Sequence, residues 1–311
     1  MISILQQESN QQQAFVWQPF LILILSYPIC VGCHYYYLKF FLPSYKSSLT
    51  LLCLRLKLKG FKLEKTTAVL FLCHIINPES IKRFKKLELD GSSLRCETFW
   101  CLDIDSASED SYSFLRYFKF KIFPFSYTEL NKKYYLMRYP SIAPLFMGNH
   151  LFPLLDFAKF YEYDNYWFME NDVIYKGNWS QLFSQEFNDS TLMIQSYPNL
   201  INLSNSKWFW VQHIPKDFSI NYYGSLVNII RVSKKFITRL DQKYYEQGPN
   251  HRYHAELFFY TVLMNYSKEF TFKVINCTKY MGLDCNVASK IYHNPNNQNW
   301  LIHPYKLYEI S

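Results

Sequence analysis

Glu170-Asn171-Asp172 is the part of this chain best equipped for chemistry. It follows Asp164-Asn165-Tyr166-Trp167-Phe168-Met169 and precedes Val173. Trp167, Phe168 and Met169 read as the end of a buried strand. Asp and Glu are poor strand formers, so two of them where a strand stops point to a use. At i and i+2 of extended chain the two carboxylates face the same way, about 6–7 Å apart at Cα. Such a pair suits a hard divalent cation, which keeps several waters and takes one or two carboxylates plus substrate phosphate oxygens. The chemistry implied is that of an enzyme handling a phosphate-bearing donor. The competing use of the pair is as solvated or capping carboxylates ahead of a turn.

Arg231 lies in the apolar run Leu226–Val232. A buried guanidinium needs a partner, and either a carboxylate of the site or a donor phosphate would serve. Other chemistries are excluded. The chain has no G-x-x-x-x-G-K-[ST] phosphate loop, no G-x-G-x-x-G fingerprint, no H-E-x-x-H and no G-x-S-x-G. With only 8 Gly, phosphate must be held by metal and side chains.

The elements that would position these residues alternate. Ala68–Cys73 is a continuous apolar run and reads as a buried strand ending at His74. Asn77-Pro78 starts a helix running to about Leu89. Thr98–Leu102 is the next strand and closes in Asp103 and Asp105, which completes a parallel βαβ unit. Residues 106–140 read as a loose, aromatic-rich connection. Gly148-Asn149-His150 leads into a helix over Leu151–Tyr161, and the Trp167 strand follows. Asn178 or Ser180 caps a short helix through Phe187. Further strands are expected at Thr191–Gln195, Leu226–Val232 and Phe270–Ile275, with helices at Ser233–Tyr245 and His254–Tyr266. Strands alternating with helices predict an α/β fold with a mostly parallel sheet flanked by helices. In such sheets ligands bind beyond the carboxyl ends of the strands, where Glu170 and Asp172 would sit.

The run Tyr163–Val173, continuing through Tyr175-Lys176-Gly177-Asn178-Trp179, resembles the nucleotide-sugar strand end of GT-A-fold glycosyltransferases. It is especially similar to a poorly characterised glycosyltransferase-like family with an acidic-x-Asp-Val core followed by Gly-Asn/Asp-Trp. Val227–Ser233, then Arg252-Tyr253-His254-Ala255-Glu256 through Thr261, then His303-Pro304-Tyr305-Lys306, continue that pattern in order over roughly residues 66–306. The resemblance implies a GT-A-like (Rossmann-like) domain that transfers a sugar from a nucleotide-diphosphate donor to a hydroxyl on a glycan or glycolipid. It implies a divalent cation, Mn2+ or Mg2+, held by Glu170 and Asp172 and completed by His303. Glu256 would be the general base of an inverting displacement, with His254 as the other candidate. On a helix these two are two residues apart and face different ways. His74 and Asn77 would meet the nucleotide, Asp103 and Asp105 the base or ribose, and Lys306 a phosphate oxygen. Trp208-Phe209-Trp210 has two uses, core packing or stacking on a sugar ring. Asn171 stands between the acidic pair, and His254-Ala255-Glu256 lacks a following Asp. The alternative readings are therefore an inactive binding protein of the same fold, or a basic scaffold on membrane or nucleic acid.

The bulk properties fit an enzyme domain. The 311 residues are 49% hydrophobic and only 19% charged, ample for a packed core. The formal charge is +8, modest for this length and concentrated at Lys46, Arg55, Lys57, Lys59, Lys62 and again at Lys82, Arg83, Lys85 and Lys86. Such a cluster reads first as a solvated surface and second as a contact for anionic lipid head groups, and no nucleic-acid partner is expected. The eight Cys are scattered. Cys30-Val31-Gly32-Cys33 lacks a second pair, so reduced thiols in a cytosolic environment are expected. A boundary near Lys65 separates an N-terminal extension, residues 1–66, from a domain over 67–311. Within the extension, Phe15–Leu38 is apolar and uncharged; it reads as a membrane anchor or surface helix, as a segment packed on the domain, or as part of a poorly folded extension. Basic residues follow it, so if it meets a membrane the positive-inside rule would leave the remainder on the cytoplasmic face.

Overall fold

Short runs of apolar, aromatic and β-branched residues form the strands. The protein is represented by a computed structural model that describes residues 67–73, 76–107, 109–134, 150–184, 191–201, 221–247, 254–275, 278–281, 285–294, 296 and 299–303. The extension over 1–66 with its apolar segment at 15–38, His74, Trp208–Trp210 and Lys306 lie outside the described residues.

In chain order the elements are β1 (Thr67–Leu72), α1 (Pro78–Ser92), β2 (Cys96–Asp103), α2 (Glu109–Tyr117), β3 (Ile122–Phe125), α3 (Tyr127–Tyr134), α4 (Phe152–Phe160), β4 (Asn165–Glu170), β5 (Ile174–Tyr175), α5 (Trp179–Phe183), β6 (Thr191–Ile194), β7 (Asn199–Leu200), β8 (Tyr223–Gly224), β9 (Ile229–Ser233), α6 (Lys234–Gln247), α7 (Ala255–Asn265), β10 (Thr271–Val274), β11 (Thr278–Met281), α8 (Cys285–His293) and β12 (Leu301–His303).

Seven strands make the main sheet in the order β10-β6-β9-β4-β1-β2-β3. Every neighbouring pair is parallel save those of β9, which runs antiparallel to both β4 and β6. The expected mostly parallel α/β sheet flanked by helices is therefore present. Both faces are covered, so the strands read as continuous apolar runs. Along β4, Tyr166 and Phe168 enter one core with Phe157 of α4, Phe236 of α6 and Phe259 of α7. Trp167 and Met169 enter the other with Phe84 of α1, Leu115 of α2 and Trp179 of α5.

Two expectations are corrected, and one stretch adds elements not foreseen. Residues 106–140 are not one loose connection, because α2, β3 and α3 lie within them. The concealing residue is Pro124 in β3; Pro is tolerated only because β3 is the sheet's last strand. The Leu226–Val232 run forms a strand only from Ile229. The tail beyond Ile275 holds β11, α8 and β12, and β12 joins β11 and β5 in a three-stranded sheet. Among the described residues, no helix is long and apolar enough to cross a membrane.

Candidate active site

β1 and β4 pair in parallel with Leu72 opposite Glu170, so both stop at the carboxyl edge of the sheet. The Glu170 N–H still bonds across to the Asn228 carbonyl at 2.9 Å. The chain then turns, and the Val173 N–H reaches the Glu170 carbonyl at 3.2 Å. Asn171 and Asp172 are the corner residues of this turn, a position both types favour. The acidic pair is thus not an extended i, i+2 pair as expected. Its carboxylates converge because the chain folds back.

The returning chain forms β5, and β12 pairs antiparallel with it, Leu301 opposite Tyr175 and Ile302 opposite Ile174. That pairing delivers His303 to the turn. Its Nε2 lies 3.3 Å from Asp172 Oδ1 and 3.6 Å from Glu170 Oε2. One donor atom each from Glu170, Asp172 and His303 lies within 4.8 Å of the others. A cation 2.1–2.6 Å from each ligand sets adjacent ligands roughly 3–3.7 Å apart, so the donor set fits a divalent ion. The carboxylate oxygens suit Mg2+ or Mn2+, and the imidazole nitrogen favours the transition ion Mn2+ over Mg2+. The carboxylates remain about a fifth exposed while His303 is buried, which leaves one side open to a ligand. His303 ends a short, fully buried strand, β12.

Charge in this cluster is tightly balanced. Burial alone would raise the Glu170 carboxyl, but His150, His303 and the Asn228 amide outweigh it and hold the carboxyl at about 2. Burial opposes charge on His303, yet Asp172 and Glu170 raise its imidazole to about 9. The Asn228 amide donates to Glu170 Oε2. It is itself fixed by Gln195, whose Nε2 donates to Asn228 Oδ1 at 3.1 Å and whose Oε1 accepts the Ile229 N–H at 3.0 Å. His150 is buried, stacks on Phe168 and places Nδ1 3.7 Å from Glu170 Oε1. Burial holds its imidazole below the usual value.

Glu256 stands at the start of α7, a helix buried along most of its length. Burial and the Glu170 charge raise its carboxyl to about 8. His254 is the N-cap with extended backbone (φ −67°, ψ 133°). It is therefore not a helical residue facing away from Glu256, because its Nδ1 lies 3.6 Å from Glu256 Oε2. Its ring also meets His150 edge-on, centroids 6.5 Å apart. The Glu170–Asp172–His303 group and the Glu256–His254 pair are thus linked through His150.

Other sequence candidates are placed differently. Asn77 is the N-cap of α1: its Oδ1 accepts the Ser80 N–H at 2.8 Å, and Ser80 Oγ accepts the Asn77 N–H at 3.0 Å. Asp103 ends β2 at the same sheet edge, buried, with Ser106 Oγ and the Asp105 N–H on its oxygens, and burial raises its carboxyl. Asp105 accepts from Ser126 Oγ and from the Thr128 N–H, which fixes the start of α3. Arg231 lies opposite Trp167 and Met193, three strand positions from Glu170 or about 10 Å. β9 runs antiparallel, so it presents Asn228 to the edge and carries Arg231 away from it. His150, Asn228 and Gln195 complete the cluster and were not among the sequence candidates. Their only sequence signal is a polar residue adjoining an apolar element.

No protein-family profile and no curated protein sequence matches the chain. Solved structures resemble it. A galactosyltransferase, LgtC, in complex with donor and acceptor sugar analogues, has a TM-score of 0.43 at 10% identity, over 68% of this chain and 75% of its own. Mouse xyloside xylosyltransferase 1, apo form, has a TM-score of 0.38 at 14% identity, over 70% of this chain and 88% of its own. The apo glycosyltransferase GlyE of Streptococcus pneumoniae TIGR4 has a TM-score of 0.41 at 13% identity, over 78% of this chain and 55% of its own. Likenesses of this size assign no donor, acceptor or residue role.

Proposed function

We propose that this protein is a GT-A-like glycosyltransferase that moves a sugar from a nucleotide-diphosphate donor to a hydroxyl of a glycan or glycolipid. One observation carries the reading: Glu170, Asp172 and His303 converge at the carboxyl edge of a mostly parallel sheet, with Glu256 on the adjoining helix end. Glu170 and Asp172 offer oxygen donors and His303 a nitrogen donor to Mn2+ or Mg2+. When bound, that cation supplies charge stabilisation to a diphosphate leaving group.

The remaining work falls to the protein's own groups. Asn228, locked by Gln195, fixes the Glu170 carboxylate. Glu256, with His254 beside it, is the group we assign to proton abstraction. As the acceptor oxygen attacks the anomeric carbon, its proton passes to the Glu256 carboxylate. The bond from that carbon to the diphosphate breaks, and its electron pair leaves with the diphosphate. A base raised towards the working pH is suited to this transfer. Direct attack from the opposite face inverts the anomeric centre. A thermal-shift panel of UDP-, GDP-, CMP- and dTDP-linked sugars, each with and without Mn2+, tests the reading. One nucleotide class should raise the melting temperature only with the ion, and Asp172→Asn, which keeps only a weaker amide-oxygen donor, should shrink the shift. Melting unmoved by every donor with Mn2+ or Mg2+ would overturn it.

A further inference from the structure

Helix α1 reaches the acidic turn through Arg83. Its Nη1 donates to the Asn171 carbonyl oxygen at 2.5 Å. Asn171 is the residue between the two carboxylates. One helical turn before Arg83, Glu79 places Oε1 3.4 Å from the Arg83 Nε, which orients the guanidinium. The Arg83 side chain is only 10% exposed, and a charge-assisted bond from a desolvated guanidinium is stronger than a neutral one.

The two carboxylates are not anchored alike. Glu170 is the last residue of β4, held by its ladder bond to Asn228 and by the Asn228 amide. Asp172 has left the sheet. Its backbone is bracketed by the Val173-to-Glu170 turn bond and by the Arg83 contact to the preceding carbonyl. We infer that Arg83 is a positioning residue for the cation site: it fixes the Asn171–Asp172 peptide so that the Asp172 carboxylate meets His303 and Glu170. This rests on reading Glu170, Asp172 and His303 as cation ligands.

The test is calorimetric titration of the full chain with Mn2+, alongside melting temperatures, for wild type, Arg83→Ala, Arg83→Lys, Asp172→Asn and the Arg83→Ala/Asp172→Asn double variant. Arg83→Ala should weaken Mn2+ binding about tenfold, the size found when a group orienting a metal ligand is removed. Arg83→Lys should recover most of it, since an ammonium still donates to a carbonyl. In the Asp172→Asn background, removing Arg83 should cost nothing more, because the effect acts through Asp172. Binding within about twofold of wild type in Arg83→Ala, or an equal loss in both backgrounds, would overturn the assignment. Should Arg83→Ala not fold, Arg83→Gln is read in the same cycle. Wild type that takes up no Mn2+ overturns the cation reading itself, an outcome distinct from either of these.

Discussion

If Glu256 is the base, as we propose, one buried carboxyl couples activity to stability. The folded protein keeps its proton up to about pH 8, whereas an ordinary carboxyl gives it up near 4.5. Between those values the folded state binds more protons than the unfolded one, so this contribution to stability falls as pH rises and is level outside the window. Glu256→Gln removes it. In metal-free protein the variant should melt above wild type at roughly pH 8, by on the order of a few kcal/mol, and together with it at roughly pH 4. Transfer activity should drop about 10²- to 10⁴-fold, as loss of a general base predicts. Equal melting at both pH values would show that the carboxyl ionises freely. Asn228→Ala leaves Glu170 without its amide donor, and Mn2+ affinity should fall about 10- to 100-fold by calorimetry. At this scale the sequence was informative where residue type is unusual for its place, as with Glu170 and Asp172 at a strand's end. It was silent on Asn228 and His150, since a lone Asn or His beside an apolar run has many structural uses.

At the scale of elements, local rules explain placement and fail where pairing is distant. The Asn77–Ser80 capping box starts α1 beyond β1, and Asn77→Ala should cost about 1 kcal/mol with little change in metal binding. The measurement is chemical unfolding beside Mn2+ titration. A collapse of metal binding at unchanged stability would instead give Asn77 the ligand-side role its position suggests. Gly177 is required by a close approach: a Cβ there would lie 2.6 Å from Tyr175 Cζ and 2.5 Å from Asn299 Oδ1. Tyr175 is buried and belongs to β5, so it yields poorly. Gly177→Ala should destabilise by about 1–3 kcal/mol, and it should weaken metal binding because β5 carries the strand bearing His303. An unchanged denaturation midpoint would refute that coupling. The sequence made βαβ legible from an apolar run, a Pro-led helix and a second run. It concealed α2, β3 and α3, because β3 is four residues with a Pro at its third position.

At the scale of the molecule, the site spans positions from His150 to His303 and is assembled by the sheet. Ligands that bind only the folded state should therefore stabilise the whole unit. A donor and Mn2+ at about 100 times their dissociation constant should add about 2.7 kcal/mol, and chelation should return melting to the metal-free value. A shift that survives Glu170→Gln and Asp172→Asn would place binding elsewhere.

The sequence by itself determined the α/β class, the βαβ start and the acidic pair at a strand's end, because these follow from local periodicity, turn chemistry and residue type. It also named Glu256, His254 and His303 through an ordered resemblance. Tertiary structure alone decided that β9 runs antiparallel and presents Asn228 rather than Arg231 to the edge. It alone decided that β12 lies beside β5 and carries His303 to Asp172. Both outcomes depend on hydrogen bonds between segments far apart in the chain, and their register is fixed by the packed core, not by any local signal.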